Sequence, residues 1–198
     1  MNVQFNPRPM QRTRGLLARL AGCKRGVAAV EFGMIVPIMF MLFVGSVEFS
    51  QAITVDRRVT QVASSTADLV ARQSSVTTAT LDGYMQIITQ LMTPYSSSLL
   101  RLTVLNVYAT TANPTTTLVC WSYNYQGGTG THANGSAYAV PAGVVTGGTS
   151  VIVAEVQYNY QPLIFTYFIT STLPMNEKFF LKPRLSASVQ YNGAAACV

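Results

Sequence analysis

The string Arg25-Gly26-Val27-Ala28-Ala29-Val30-Glu31-Phe32 holds the residues best placed to do chemistry. Gly26 ends a basic run, and a long apolar run starts directly after it. Glycine has no side chain, so another protein can approach the backbone closely at that bond. Glu31 stands inside the apolar run, about one helical turn (~6 Å) from Val27. A carboxylate in such a segment opposes membrane insertion and needs either a partner or access to the lipid headgroups. Elsewhere chemistry is sparse. Seven Asp and Glu and one His make eight acid–base groups in 198 residues. His132 sits in a Gly/Thr/Asn-rich stretch with no cysteine at metal-ligand spacing. Gly-x-Ser-x-Gly, GxGxxG and GxxxxGK[ST] are all missing, so the glycines from Gly127 to Gly148 do not form a phosphate cradle. The sequence therefore points to no enzyme, no catalytic residue, no metal and no cofactor.

The elements that hold Gly26 and Glu31 are a basic leader and an apolar span. Six of the thirteen basic residues, Arg8, Arg12, Arg14, Arg19, Lys24 and Arg25, precede Val27, and no acid does. From Val27 onward seven basic residues face seven acidic ones, so the net charge of +6 belongs to the leader. That distribution argues against a nucleic-acid surface and, by the positive-inside rule, for a cytoplasmic N-terminus. Val27 to Val47 spans 21 positions with one charge, about 31 Å of helix against a bilayer core of roughly 30 Å. An ordinary secretory signal is a weaker reading, because Gly45-Ser46 is a poor cleavage site.

The string from Arg25 to Phe49 (Arg-Gly-Val-Ala-Ala-Val-Glu-Phe-Gly-Met-Ile-Val-Pro-Ile-Met-Phe-Met-Leu-Phe-Val-Gly-Ser-Val-Glu-Phe) resembles the TadE/TadG-like group of the tight-adherence (Tad, Flp-type, type IVb) pilus systems. The junction itself resembles the processing motif of type IV pilins. The resemblance implies cleavage by a prepilin peptidase between Gly26 and Val27. It also implies that Glu31 pairs with the free amine of a neighbouring subunit and sets the stagger between helices. Further, it implies a minor pseudopilin, whose partners are other pilin and pseudopilin subunits, the Tad assembly machinery and membrane lipid. The expected place is the bacterial inner membrane, crossed once, with the C-terminal domain periplasmic, or the pilus itself. Cleavage would remove Cys23 and leave Cys120 and Cys197 on the side where disulfides persist. They are then either bridged or two free thiols. The alternative function is an uncleaved single-pass membrane protein with an extracytoplasmic binding domain.

Three regions are expected: a leader over 1–26, a transmembrane helix over 27–50 and an α+β domain over 51–198. Pro37 predicts a kink near Val36. Val55, Val59, Val62, Thr66 and Leu69 fall on one helical face, with Asp56, Arg57, Arg58, Gln61 and Asp68 off it. One helix therefore continues to about Arg72. Glu48 ends the apolar run and reads as interfacial. After a polar link over 73–80, Leu81, Tyr84, Met85, Ile88, Leu91 and Met92 keep helical spacing until Pro94. Strands are expected at 101–109, 118–125, 150–160 and 184–191. Alternation places Val119, Trp121, Tyr123 and Tyr125 on one face. It places Ile152, Ala154, Val156, Tyr158 and Tyr160 opposite Glu155, Gln157 and Asn159. Residues 126–149 read as a mobile loop, and Pro162–Leu173 as either helix or strand. The fold class is α+β: a long N-terminal helix packed on a mainly antiparallel sheet, in the manner of a pilin.

Overall fold

A computed structural model describes residues 25–130, 132–162 and 172–197. Helix α1 runs over Arg25–Ala71 and contains Pro37. The chain divides into two compact units, one up to Val47 and one from Glu48 onward.

In the first unit α1 is apolar on every side. Every residue from Gly26 to Phe43 is exposed, including Phe32, Met34, Phe40, Met41 and Leu42. A helix apolar all round needs an apolar surrounding rather than one buried stripe.

In the second unit α1 is one-sided. Val55, Val59, Val62, Thr66 and Val70 are fully buried, while Asp56, Arg57 and Gln61 are exposed. The buried Thr66 is no liability, because its hydroxyl donates to the Val62 carbonyl at 2.7 Å. Helix α2, Thr78–Ile88, starts at Thr77, whose hydroxyl accepts from the Thr80 amide at 3.2 Å. It buries Leu81, Met85 and Ile88. A 3-10 turn, Thr89–Met92, carries the apolar stripe on, and a cis Thr93–Pro94 bond comes next. The link before α2 is not merely polar coil. Ser75–Val76 forms strand β1 and pairs in parallel with β6, Gln190–Tyr191.

The main sheet has the order β3-β2-β4-β5 and is antiparallel throughout. Its strands are β2 Leu100–Ala109, β3 Thr117–Tyr125, β4 Thr149–Tyr160 and β5 Leu173–Leu181. One face contributes Leu102, Val104, Trp121, Ile152, Val156 and Tyr158 to the core shared with α1 and α2. The other face buries Leu105, Val107, Val119, Val151 and Val153 under Tyr138. Burial on both faces explains why β2 reads as a near-continuous apolar run.

Three expectations fail, each for a physical reason. The fourth strand is β5, not 184–191. After Pro183 the backbone bends away, because the Arg184 amide caps the Ala71 carbonyl of α1 at 2.8 Å. The Ser150 amide takes the Ala187 carbonyl at 3.1 Å, Leu185 is exposed, and only Val189 of the supposed inner face is buried. Second, Val119 does not share a face with Trp121 and Tyr123. The register shifts between Asn106 and Val107, so Asn106 faces Trp121, Val107 faces Val119 and Cys120 is the extra residue. A bulge of this kind turns the residues after it to the opposite face. Third, the stretch from Gln126 to Gly148 is anchored rather than loose. Gly135 and Tyr138 donate backbone hydrogen bonds to Val119 and Thr117, and Leu118 bridges Ala137. The loop therefore covers the outer edge of β3. Of the segment read as helix or strand, residues 163–171 lie outside the described residues.

Candidate functional site

The first candidate site is the start of α1. Gly26 and Val27 lie in its first turn, and Val27 is 58% exposed. A Cβ built on Gly26 meets nothing within 4 Å, so the bond after it is open to an approaching protein. Glu31 is exposed, one turn on. Two competing terms decide whether this segment enters a bilayer. Phe32, Ile35, Val36, Ile38, Phe40, Leu42 and Phe43 are exposed. On insertion scales such residues contribute ~0.5 kcal/mol each, so seven give about 3.5 kcal/mol before any methionine is counted. One carboxylate costs ~3 kcal/mol at the bilayer centre and less near its surface. Glu31 lies near one end of the apolar run, so insertion wins. By length and composition α1 can cross a membrane.

The second candidate site lies on the outer domain, on the sheet face turned away from α1. Glu155 is 5% exposed, yet it is fully served. Its Oε1 accepts from the Tyr138 hydroxyl at 2.6 Å and pairs with Lys178 Nζ at 2.6 Å. Its Oε2 accepts from Thr129 Oγ1 at 2.7 Å and lies 3.0 Å from His132 Nε2. Register places Thr103 and Lys178 on either side of it. Burial pushes the Glu155 carboxyl up. The hydrogen bonds from Lys178, Tyr138 and Thr129, with the Lys178 charge, overcome that and hold it at about 2. Burial and the bond to Glu155 push the Tyr138 hydroxyl well above its usual range. Three of these partners come from the glycine-rich loop, so the carboxylate clasps that loop to the sheet. A carboxylate whose oxygens are so fully occupied by its own fold offers little to a substrate. No group of three His, Cys, Asp or Glu able to hold a metal occurs among the described residues.

The model of the TadE-like protein family matches residues 26–68. The matched stretch opens on Gly26 itself, and it ends within the buried stripe of α1. This chain is a TadE-like protein. No curated protein and no solved structure matches it.

The TadE-like segment thus contains Gly26, Val27, Glu31 and the whole apolar span, while Cys120, Glu155 and Cys197 lie beyond it. The structure joins Cys120 to Cys197, with Cα atoms 5.8 Å apart and 77 positions between them in sequence. Cys120 is the bulge residue of β3, without a partner in the ladder to β2. That irregularity leaves its side chain free to meet the returning tail. Glu48 corrects another expectation. It is 5% exposed, not interfacial, and its charge reaches the Tyr160 hydroxyl. Alternation puts Glu155 on the correct face of β4 but leaves it in solvent, where the structure buries it. The available signal is one acid flanked by Val153, Ala154 and Val156 in a strand otherwise apolar on both faces.

Proposed function

We propose that this TadE-like chain is a minor pseudopilin of a Tad-type pilus, matured by a prepilin peptidase that cleaves between Gly26 and Val27. The observation that carries the reading is the start of the family match at Gly26, directly before an apolar helix with a single carboxylate. Cleavage would leave Val27 as a charged amine about one turn from Glu31. Within one helix the amine and the carboxylate stand side by side. Between staggered helices, Glu31 of one copy neutralises Val27 of the next, so both charges escape the cost of apolar surroundings. Assembly is then lateral movement of subunits from the inner membrane into a helical bundle packed by the residues from Phe32 to Phe43, and the pilus serves surface attachment. The outer domain is held periplasmic by the basic leader, where Cys120 and Cys197 meet an oxidising environment.

Mass spectrometry of the mature protein tests processing: a chain starting at Val27 is expected, and one retaining Met1 overturns it in favour of an uncleaved anchor. Glu31→Gln tests assembly. Incorporation into sheared filaments or the assembly complex should fall at least roughly tenfold, as expected when ~1.4 kcal/mol or more of pairing is lost. Unchanged incorporation would refute the role of Glu31.

A further inference from the structure

We infer that the outer domain carries its own lipid-contacting ledge, made of Phe49, Ile53 and Leu173, which rests in the headgroup–acyl boundary beside the span. The inference rests on the reading of α1 as membrane-inserted. Phe49 is 69% exposed, Leu173 51% and Ile53 39%. Phe49 and Ile53 are one turn apart on α1, and with Leu173 and Pro174 they line a single shallow groove. The other exposed large apolar side chains described in this unit, Ile87 and Leu185, do not line it.

Covalent reach identifies the occupant. Phe49 lies two positions after Val47, the last residue of the apolar run, so their Cα atoms lie within about 8 Å whatever the angle between the units. The polar zone on each side of a bilayer core is ~5–8 Å thick. A phenyl ring tethered that closely to the end of the span lies within reach of this zone. Leu173 belongs to a different element, β5, yet lines the same groove, so the fold delivers a second apolar group to the same level. Chemistry changes in the right direction along the groove. Phe49, Ala52 and Ile53 give way to Asp56 on α1, while Leu173 and Pro174 give way to Asn176 on β5. The apolar end is nearer the span in sequence and the polar end is further from it. An apolar body with a polar rim suits a lipid interface.

The test uses the full chain, with Cys23 replaced by alanine, in vesicles of phosphatidylcholine and phosphatidylglycerol. A nitrobenzoxadiazole probe is placed on Leu173→Cys, and in separate samples on Phe49→Cys, Leu185→Cys and Phe40→Cys. Leu185 is next to Arg184, whose amide meets Ala71, about 33 Å along α1 from Phe49. Headgroup spin-labelled lipid should quench the probes at Leu173 and Phe49, and iodide should quench them roughly threefold less than the probe at Leu185. Quenching at Leu173 and Phe49 by iodide alone overturns the ledge, since it places them in water. Shielding from both quenchers also overturns it, because a second copy or another protein then covers the groove. The Phe40 probe reports on the span separately. If acyl-chain quenchers reach Phe40 but nothing in the lipid reaches Leu173 or Phe49, the ledge fails while the membrane reading stands. If Phe40 is not quenched from the acyl chains, the membrane reading itself fails. Retention of the Cys120–Cys197 bridge on a non-reducing gel confirms that each labelled chain is folded.

Discussion

Glu155→Gln keeps the size of the side chain and removes the charge that Lys178 faces. A carboxyl at about 2, against an ordinary value of 4.5, corresponds to about 3 kcal/mol at ~1.36 kcal/mol per pKa unit. The Lys178 side chain is 57% exposed, and solvent screening of its charge trims the figure to ~2 kcal/mol. Linkage sets the sign. A carboxyl depressed in the folded state stabilises the fold above its unfolded value and loses that stabilisation as pH falls toward its folded value. The variant should therefore be ~2 kcal/mol less stable than the parent at pH 7. The gap should close between about pH 4.5 and pH 2, where the parent's carboxyl becomes protonated and resembles the amide. Trp121 is the chain's one tryptophan; it is buried and donates to the Val189 carbonyl at 2.8 Å. Its fluorescence reports urea unfolding of the outer domain in detergent-solubilised full chain. A gap below ~0.5 kcal/mol at pH 7, or one that stays constant down to pH 2, would refute the clasp.

Cys197→Ser should lower stability in the same assay by ~4 kcal/mol on loop entropy, and reductant should reproduce the loss in the parent. Met85→Ala, deep between α2 and the sheet, should cost ~3 kcal/mol, whereas Met41→Ala, 70% exposed on the span, should leave outer-domain unfolding unchanged. Gly128→Ala should cost more than ~1 kcal/mol. Its φ is +67° and a Cβ would stand 2.8 Å from Thr103 Oγ1 and closer still to Asn124. Gly127→Ala, with φ +87° but open space, should cost less, the difference being read from urea midpoints.

Features set by a period were legible in the sequence. The stripe Val55, Val59, Val62 and Thr66 recurs every three or four residues, so α1 could be traced to its last turn. The alternation in β4 likewise placed Ile152, Val156 and Tyr158 against the helices. Period fails where a single residue is inserted. Cys120 moves Val119 to the far face, and nothing local in Leu118–Tyr125 marks the insertion. Period also misleads when a tail alternates by composition alone. Arg184 to Tyr191 has the pattern of a strand, but the place beside β4 is filled by Leu173–Leu181 and the tail is drawn off by the carbonyl of Ala71. At the first candidate site, the residue types at Gly26, Val27 and Glu31 were legible because their spacing is local. The partners of Glu155 were not, since Thr129, His132, Tyr138 and Lys178 meet only through tertiary structure.

The seating of α1 in the outer domain bears on how the molecule carries load. Its buried residues from Val55 to Val70 stand in a row along one helix, and the Arg184 amide holds the end of that row. Tension entering along this helix would have to shear all those contacts together instead of peeling them one at a time. A domain gripped in this way resists being pulled off its stalk far better than its modest core would suggest.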